Sequence, residues 1–350
     1  MHLWIDADPS GLVWTGLDCD DDLAILAARG LEALREVTIV GLSICGGNAP
    51  LLHTWPNAMT LLQSMPSVQW NVSKGAGWQS MQPAWKSLRL LASCIQEDES
   101  SDAAEAIIQA TRALPPRSLT VLSLGPPSNL ARAMRSAPWL SEHIRAAVLM
   151  GGELTHRRLD LNFMTDRAAA REILASGLPT TMVPVQSCAQ VAVTSQTLKR
   201  LEECPTAAAH WILPKMRLQT WLMPRLVNRR IAALPGKTLS PGLREGFIPW
   251  DLVALLATIR PQLFRWDHWK VELPPCSAEP CNGTMLSTLL TDEPDGWANV
   301  ARVPWLRDEN EMLENILELL CSVSTTRPQP RLQLGFLPIM FAALVLGLAA

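Results

Sequence analysis

The sequence predicts an α/β protein with a mostly parallel central sheet flanked by helices, a Rossmann-like open sheet. Three observations carry this reading. Short apolar, β-branched runs alternate with segments of helical period, the runs end in Gly-rich turns, and carboxylates and amides gather at those ends. In open α/β sheets the C-terminal edge of the strands is where ligands bind. A chain of 350 residues can bury a large core of this kind.

The first run, Leu3-Trp4-Ile5, enters Asp6-Ala7-Asp8-Pro9, and the period of two puts Asp6 and Asp8 on one face of a strand. Asp20-Asp21-Asp22 then stands directly before Leu23, Ile25 and Leu26, which open a helical pattern reaching Leu34. One Asp at a helix start is an ordinary cap, and Asp22 fits that role. The remaining carboxylates repel one another unless a cation neutralises them. All-oxygen donors suit a hard divalent ion, Ca²⁺ or Mg²⁺, so a metal site is expected here.

The other elements follow in order. Residues 37–44 read as a buried strand ending in Gly46-Gly47-Asn48, where Asn48 is either a turn residue or a ligand group at the strand edge. A helix over 51–62 should start or kink at Pro56. A short strand at 68–72, an acidic connection at 96–102 and an amphipathic helix over 103–114 come next. The strand at 119–124 is broken by Gly125-Pro126-Pro127 before a helix from Ser128, and the strand at 146–150 runs into Gly151-Gly152. Asp160-Leu161-Asn162-Phe163 and Asp166 precede a helix over 167–176, followed by a strand at 180–185. The weakly periodic stretch 210–246, rich in Trp, Met and Arg, reads as helices over the active edge. Pro249-Trp250-Asp251 opens another helix, with Asp251 near its cap; strands at 269–273, 284–290 and 298–303 and a helix over 309–321 close the fold. The expected organisation is one domain over 1–321, a polar linker over 322–333 and a hydrophobic tail over 334–350.

Composition narrows the partners. The formal net charge is −3 and no basic stripe occurs, which argues against a nucleic-acid polymer. Tyr is absent while Trp numbers 14, so an aromatic pocket wall must use Trp or Phe. The eight Cys form no CxxC pair, which indicates neither structural zinc nor a disulfide framework; Cys276 and Cys281 could pair, with the reduced state as the default. With Asp6 inside the first apolar run, no signal peptide is expected, and the expected location is cytoplasmic. The uncharged tail, preceded by Arg327 and Arg331, reads either as a membrane anchor at the short limit of length or as an apolar tail packed on the body. A GPI signal has a similar look but requires secretion.

Taken together, these motifs resemble the inosine/uridine-preferring nucleoside hydrolases. The resemblance rests on Asp6-Ala7-Asp8-Pro9 with Asp20-Asp21, Gly46-Gly47-Asn48, Leu124-Gly125-Pro126, Met150-Gly151-Gly152, Asp160-Leu161-Asn162-Phe163 with Asp166, and Trp250-Asp251, in the family's order over residues 1 to about 320. It implies a nucleoside-hydrolase-like fold, a bound Ca²⁺, a ribonucleoside substrate and a tendency to form homo-oligomers. Asp8 would be ligand and general base, and Asp21, Asp251 and the Leu124 carbonyl would complete the protein's metal ligands. Asp20 would bind the ribose 2′-hydroxyl, Asn48 and Asn162 further hydroxyls, and Asp160 would replace the Glu near the 5′-hydroxyl.

Besides Asp160 for Glu, two departures stand out. Asp20 lies twelve positions after Asp8, a longer gap than the family's, so the loop from Ser10 to Leu17 must fold out. Either Asp20-Asp21 or Asp21-Asp22 is then the family's pair; the first keeps the following residues in register, leaving Asp22 and Asp6 in reserve. Trp250 replaces a His proposed in some members to protonate the leaving base, and an indole donates no proton as a general acid at neutral pH. It can stack on a purine, which suits a purine preference; Phe163, Trp221 and Trp250 are the stacking candidates, each of which has a core-packing alternative.

Two rivals remain at this level. A haloacid-dehalogenase-type phosphatase would use Asp6 as nucleophile and Asp8 as acid with Mg²⁺, but it leaves Asn48, Asn162 and Asp251 without a role. A non-catalytic scaffold binding calcium or a ribosyl ligand is the other, since function lives in the site rather than the fold.

Overall fold

A computed structural model describes residues 1–10, 19–65, 68–81, 102–155, 160–231, 239–273 and 285–323. The first strand, β1 (His2–Ala7), is followed by helix α1 (Asp20–Ala33), β2 (Thr38–Ile44), α2 (Leu51–Gln63) and β3 (Asn71–Lys74). The chain then forms α3 (Asp102–Ala113), β4 (Leu119–Ser123), α4 (Ser128–Ser136), β5 (Ala146–Met150), α5 (Leu161–Thr165), α6 (Arg167–Ala175) and β6 (Thr180–Val183). Helices α7 (Ser195–Glu202), α8 (Ala207–Leu226) and α9 (Trp250–Ile259) precede β7 (Phe264–Glu272), β8 (Leu286–Leu289), β9 (Val300–Leu306) and α10 (Glu309–Ser322).

The strands build one nine-stranded sheet in the order β3-β2-β1-β4-β5-β6-β9-β7-β8. Neighbours from β3 through to β9 are parallel, and β7 pairs antiparallel with both β9 and β8. The mostly parallel sheet therefore matches the expectation, with an antiparallel edge made by the last strands. Burial explains the sequence pattern: β4 is buried along its whole length, as a central strand covered on both faces must be. At the antiparallel edge β8 leaves Leu286 and Leu289 about half exposed.

Two apolar layers sandwich the sheet. One joins α1, α9 and α10 to the outer part of β1 and β2, and the other joins α3, α4 and α6 to β4 and β5. Helix α1 is buried along most of its length because α9 and α10 both pack on it.

Some expectations are corrected. Helix α2 runs from Pro50 at its N-cap through Pro56, so Pro56 does not start it. The weakly periodic stretch is helical in part, as expected: α8 is a 20-residue helix with Pro214 and Pro224 inside. Its weak periodicity has a physical cause, since it packs against α1, α7 and α10 rather than on one apolar layer. Cys204 and Cys321 form a disulfide joining the segment after α7 to the last turn of α10, against the expected reduced state. Sequence spacing could not show this pair, which is separated by 117 residues. Cys276 and Cys281, most of the 322–333 linker and the 334–350 tail lie outside the described residues. Among the described residues, no helix is long and apolar enough to cross a membrane.

Candidate active site

From β1 the chain moves outward to β2 and β3, then returns to β4, β5 and β6 on the other side of β1. The C-terminal ends of β1 and β4 therefore face a topological switch point, where open sheets form their ligand crevice. Asp8 follows β1, Asn48 follows β2 and Leu124 follows β4, so the turns at this edge carry three of the expected site residues.

Asp8 is fully buried and packed between two glycine turns. A Cβ on Gly47 would lie 2.0 Å from Asp8 Oδ2, and one on Gly125 would lie 2.6 Å from Oδ1. Those glycines are required by close approach to the carboxylate. The Asn48 backbone N–H donates to Asp8 Oδ2 at 2.5 Å, while the Asp8 N–H donates to Asp21 Oδ1 at 2.9 Å. Asn48 Nδ2 lies 3.5 Å from Asp21 Oδ2. The turns after β1 and β2 are thus tied to the first turn of α1.

Asp20, Asp21 and Asp22 occupy that first turn, where free N–H groups and the helix dipole favour negative charge. Asp251 comes from the first turn of α9, which packs on α1. One carboxylate oxygen from each of Asp20, Asp21 and Asp251 lies within 4.8 Å of the others, and all three residues are buried. Asp8 is not one of these three; it adjoins them through its N–H bond to Asp21. Buried carboxylates this close suit a hard divalent cation, and the donor set fits Ca²⁺ or Mg²⁺.

The two reserve carboxylates have other partners. Asp22 does not cap α1, whose N-cap is Cys19. Its Oδ2 accepts from Lys215 Nζ and its Oδ1 from Asn57 Nδ2 at 3.1 Å. Asp6 is fully buried; its Oδ1 accepts from Ser43 Oγ at 2.6 Å and Asn129 Nδ2 at 2.8 Å. Burial pushes the Asp6 carboxyl up to about 7, although those two hydrogen bonds favour the ionised form. Spacing carried no signal for Lys215, Asn57, Ser43 or Asn129, because each comes from a distant element.

The β5 end supplies the second wall. Gly151 and Gly152 adopt positive φ, and a Cβ on Gly151 would meet the Phe163 ring at 2.7 Å and Asp160 Oδ1 at 3.2 Å. Asp160 caps α5, accepting from the N–H groups of Asn162 at 3.2 Å and Phe163 at 3.0 Å. Burial, with Glu153 nearby as a smaller cause, raises its carboxyl to about 6. Asn162 Nδ2 donates to the Leu124 and Met150 carbonyls, which joins the α5 turn to the end of β4. Asp166 caps α6 and accepts from Ser128 Oγ at 2.7 Å.

Among the stacking candidates, Phe163 lies in the apolar core, 2% exposed, beneath the Gly151-Gly152 turn and beside Met182. That is the packing role. Trp221 is 57% exposed on α8 and carries Arg225 over its ring. Trp250 is half-buried and precedes Asp251 in the first turn of α9. Residues 11–18, which hold nearly all of the expected extra loop, lie outside the described residues.

The family model described as inosine-uridine preferring nucleoside hydrolase matches residues 3–313. The chain belongs to this family. Its members are enzymes, and membership overturns the phosphatase alternative; buried Asp6, held by Ser43 and Asn129, likewise has no exposed oxygen with which to attack a phosphate. The chain is 30% identical over 209 residues to the pyrimidine-specific ribonucleoside hydrolase RihB of Escherichia coli O157:H7, across 53% of this chain and 64% of RihB. The match therefore spans just under two thirds of that relative. An uncharacterized protein of Schizosaccharomyces pombe is 23% identical, across 63% of this chain and 72% of its own. In fold, the chain is similar to the purine-preferring ribonucleoside hydrolase from Gardnerella vaginalis, with a TM-score of 0.69, 20% identity, and coverage of 92% of this chain and 99% of that one. An inosine-uridine preferring nucleoside hydrolase from Bacillus anthracis gives a TM-score of 0.66 at 15% identity, covering 92% and 99%.

Proposed function

We propose that this chain hydrolyses the N-glycosidic bond of ribonucleosides, releasing free base and ribose. The observation that carries the reading is the meeting of Asp20, Asp21 and Asp251 beside Asp8 at the switch point of a nucleoside-hydrolase family sheet. Cleavage of an N-ribosidic bond passes through an oxocarbenium-like state and needs an activated water, as in other glycoside hydrolyses. In this reading a Ca²⁺ ion is held by Asp8, Asp21, Asp251 and the Leu124 carbonyl, and when bound it supplies electrostatic activation of water and a hold on the ribose diol.

The chain's own groups then divide the work. Asp8 accepts the proton of the attacking water, oriented by the Asn48 N–H on its Oδ2. Asp20 accepts from the 2′-hydroxyl, while Asn48 and Asn162 bind further hydroxyls. Asp160, whose carboxyl is raised by burial, faces the 5′-hydroxyl end. These remote contacts make binding energy available for distortion at the reacting carbon. Trp250, beside Asp251, stacks on the leaving base and favours purines. The relatives' printed preferences differ, pyrimidine for RihB and purine for the Gardnerella enzyme, so base choice rests on this chain's Trp250. The active form is a homo-oligomer in this reading.

The test is base release from inosine, guanosine, adenosine, uridine and cytidine by the full chain, with and without a calcium chelator. Chelator-sensitive release, fastest with purines, is expected. Calcium-dependent thermal stabilisation with no release from any nucleoside would replace the hydrolase with the non-catalytic calcium-binding scaffold.

A further inference from the structure

Asp22 is the one first-turn carboxylate of α1 that stands outside the Asp20-Asp21-Asp251 cluster, although it follows Asp21 directly. Both of its oxygens are taken, Oδ2 by Lys215 Nζ of α8 and Oδ1 by Asn57 Nδ2 of α2. The same Asn57 amide donates to the Pro9 carbonyl at 3.1 Å. One amide thus links Pro9 to Asp22 and holds the residue after Asp8 against α1. Lys215 is itself buried, with its ammonium 4.1 Å from the Trp211 ring centroid. An ammonium so enclosed is costly unless a carboxylate faces it.

The electrostatic consequence is specific. A buried carboxylate is stable when neutralised, by a proton, a metal ion or a fixed cation. Lys215 is that fixed cation for Asp22. We propose that Lys215 is a positioning residue, whose bond to Asp22 keeps that carboxylate out of the metal-binding set. This role rests on the reading of the cluster as a divalent-cation site.

The experiment is calorimetric titration of metal-free full chain with Ca²⁺, for the wild type, Lys215→Met and the double variant Lys215→Met/Asp22→Ala. Breaking the pair strands a buried charge, whereas removing both partners does not. Lys215→Met is expected to weaken calcium binding about tenfold, and the double variant to return to within about threefold of wild type. Lys215→Arg, which keeps the cation, is expected to retain wild-type affinity and guards against a Met variant that does not fold. Equal affinity in wild type and Lys215→Met overturns the proposal, as does a double variant no better than the single one. If the wild type itself takes up no calcium, the cation reading of the cluster fails in that arm, and this role falls with it.

Discussion

The Asn48 backbone N–H lies 2.5 Å from Asp8 Oδ2, joining the turns that follow two adjacent parallel strands. The contact is made by main chain, so it survives changes to the Asn48 side chain and depends on the shape of the Gly46-Gly47-Asn48 turn. It also separates two tasks at one residue, since the Asn48 amide points toward Asp21 instead.

Asp8→Asn keeps the size of the side chain while removing its ability to accept a proton from water. Removing a general base costs about 10²–10⁴-fold in rate, so kcat for base release is expected to fall in that range. The thermal midpoint of the metal-free protein should move by only a few degrees. A variant retaining more than about a tenth of wild-type kcat would remove Asp8 from the role of base.

Gly47→Ala places a methyl 2.0 Å from Asp8 Oδ2 and 2.6 Å from Pro126 Cδ. Overpacking of this sort costs about 1–3 kcal/mol, and here the displaced atom is the carboxylate itself. Lower stability and a kcat loss of at least about tenfold are expected together. Gly296→Ala, which meets nothing within 4 Å, is the control and should alter neither. Denaturant unfolding and steady-state assays on the same preparations decide it.

The pH dependence of metal-free stability follows from Asp6. Its carboxyl sits at about 7 in the folded protein because of burial, against an ordinary value of 3.8. Between those values the folded state keeps a proton that the unfolded chain has lost. Stability therefore falls as pH rises through this window, by up to about 1.4 kcal/mol per pH unit for one group, and levels off above it. Asp160, raised to about 6 by burial, adds the same sign over a narrower range. Asp6→Asn preserves the acceptor for Ser43 and Asn129 and is expected to flatten the slope between pH 6 and about 7. Urea titrations of both proteins at several pH values would show an unchanged slope if Asp6 were ionised throughout.

Trp250→Ala tests the source of base preference. Stacking of a base on an aromatic ring is worth about 1–3 kcal/mol, and the larger purine gains more from it. KM for inosine is expected to rise at least about fivefold, with a smaller rise for uridine. Parallel changes for both substrates would assign Trp250 to packing.

Much of this architecture could be read from local pattern. β1, β4 and β5 are short, apolar and bounded by turn residues, so period and composition located them within a residue or two. The carboxylates at the β1 end and α1 start were legible for the same reason, because charge inside an apolar framework stands out. What stayed hidden was long-range. Nothing near Lys215 in the sequence points to Asp22, and nothing near Cys204 points to Cys321. The Asp22 side chain suits a helix cap by type, but the Lys215 ammonium and the Asn57 amide engage it instead. Phe163 follows a motif residue, yet the bare Gly151-Gly152 turn draws its ring into the core.

The partnership of α1 with α9 also sets an order of events during synthesis. Asp20 and Asp21 leave the ribosome early, on a helix whose main helical packing partners, α9 and α10, come late in the chain. Asp251 emerges much later, and at about 5–20 residues per second the interval amounts to tens of seconds. Through that interval the nascent chain carries two of the three clustered carboxylates without the third. If the cluster holds a cation, its three-carboxylate form is therefore available only after α9 has emerged, and until then the first helix is without two of its main packing partners.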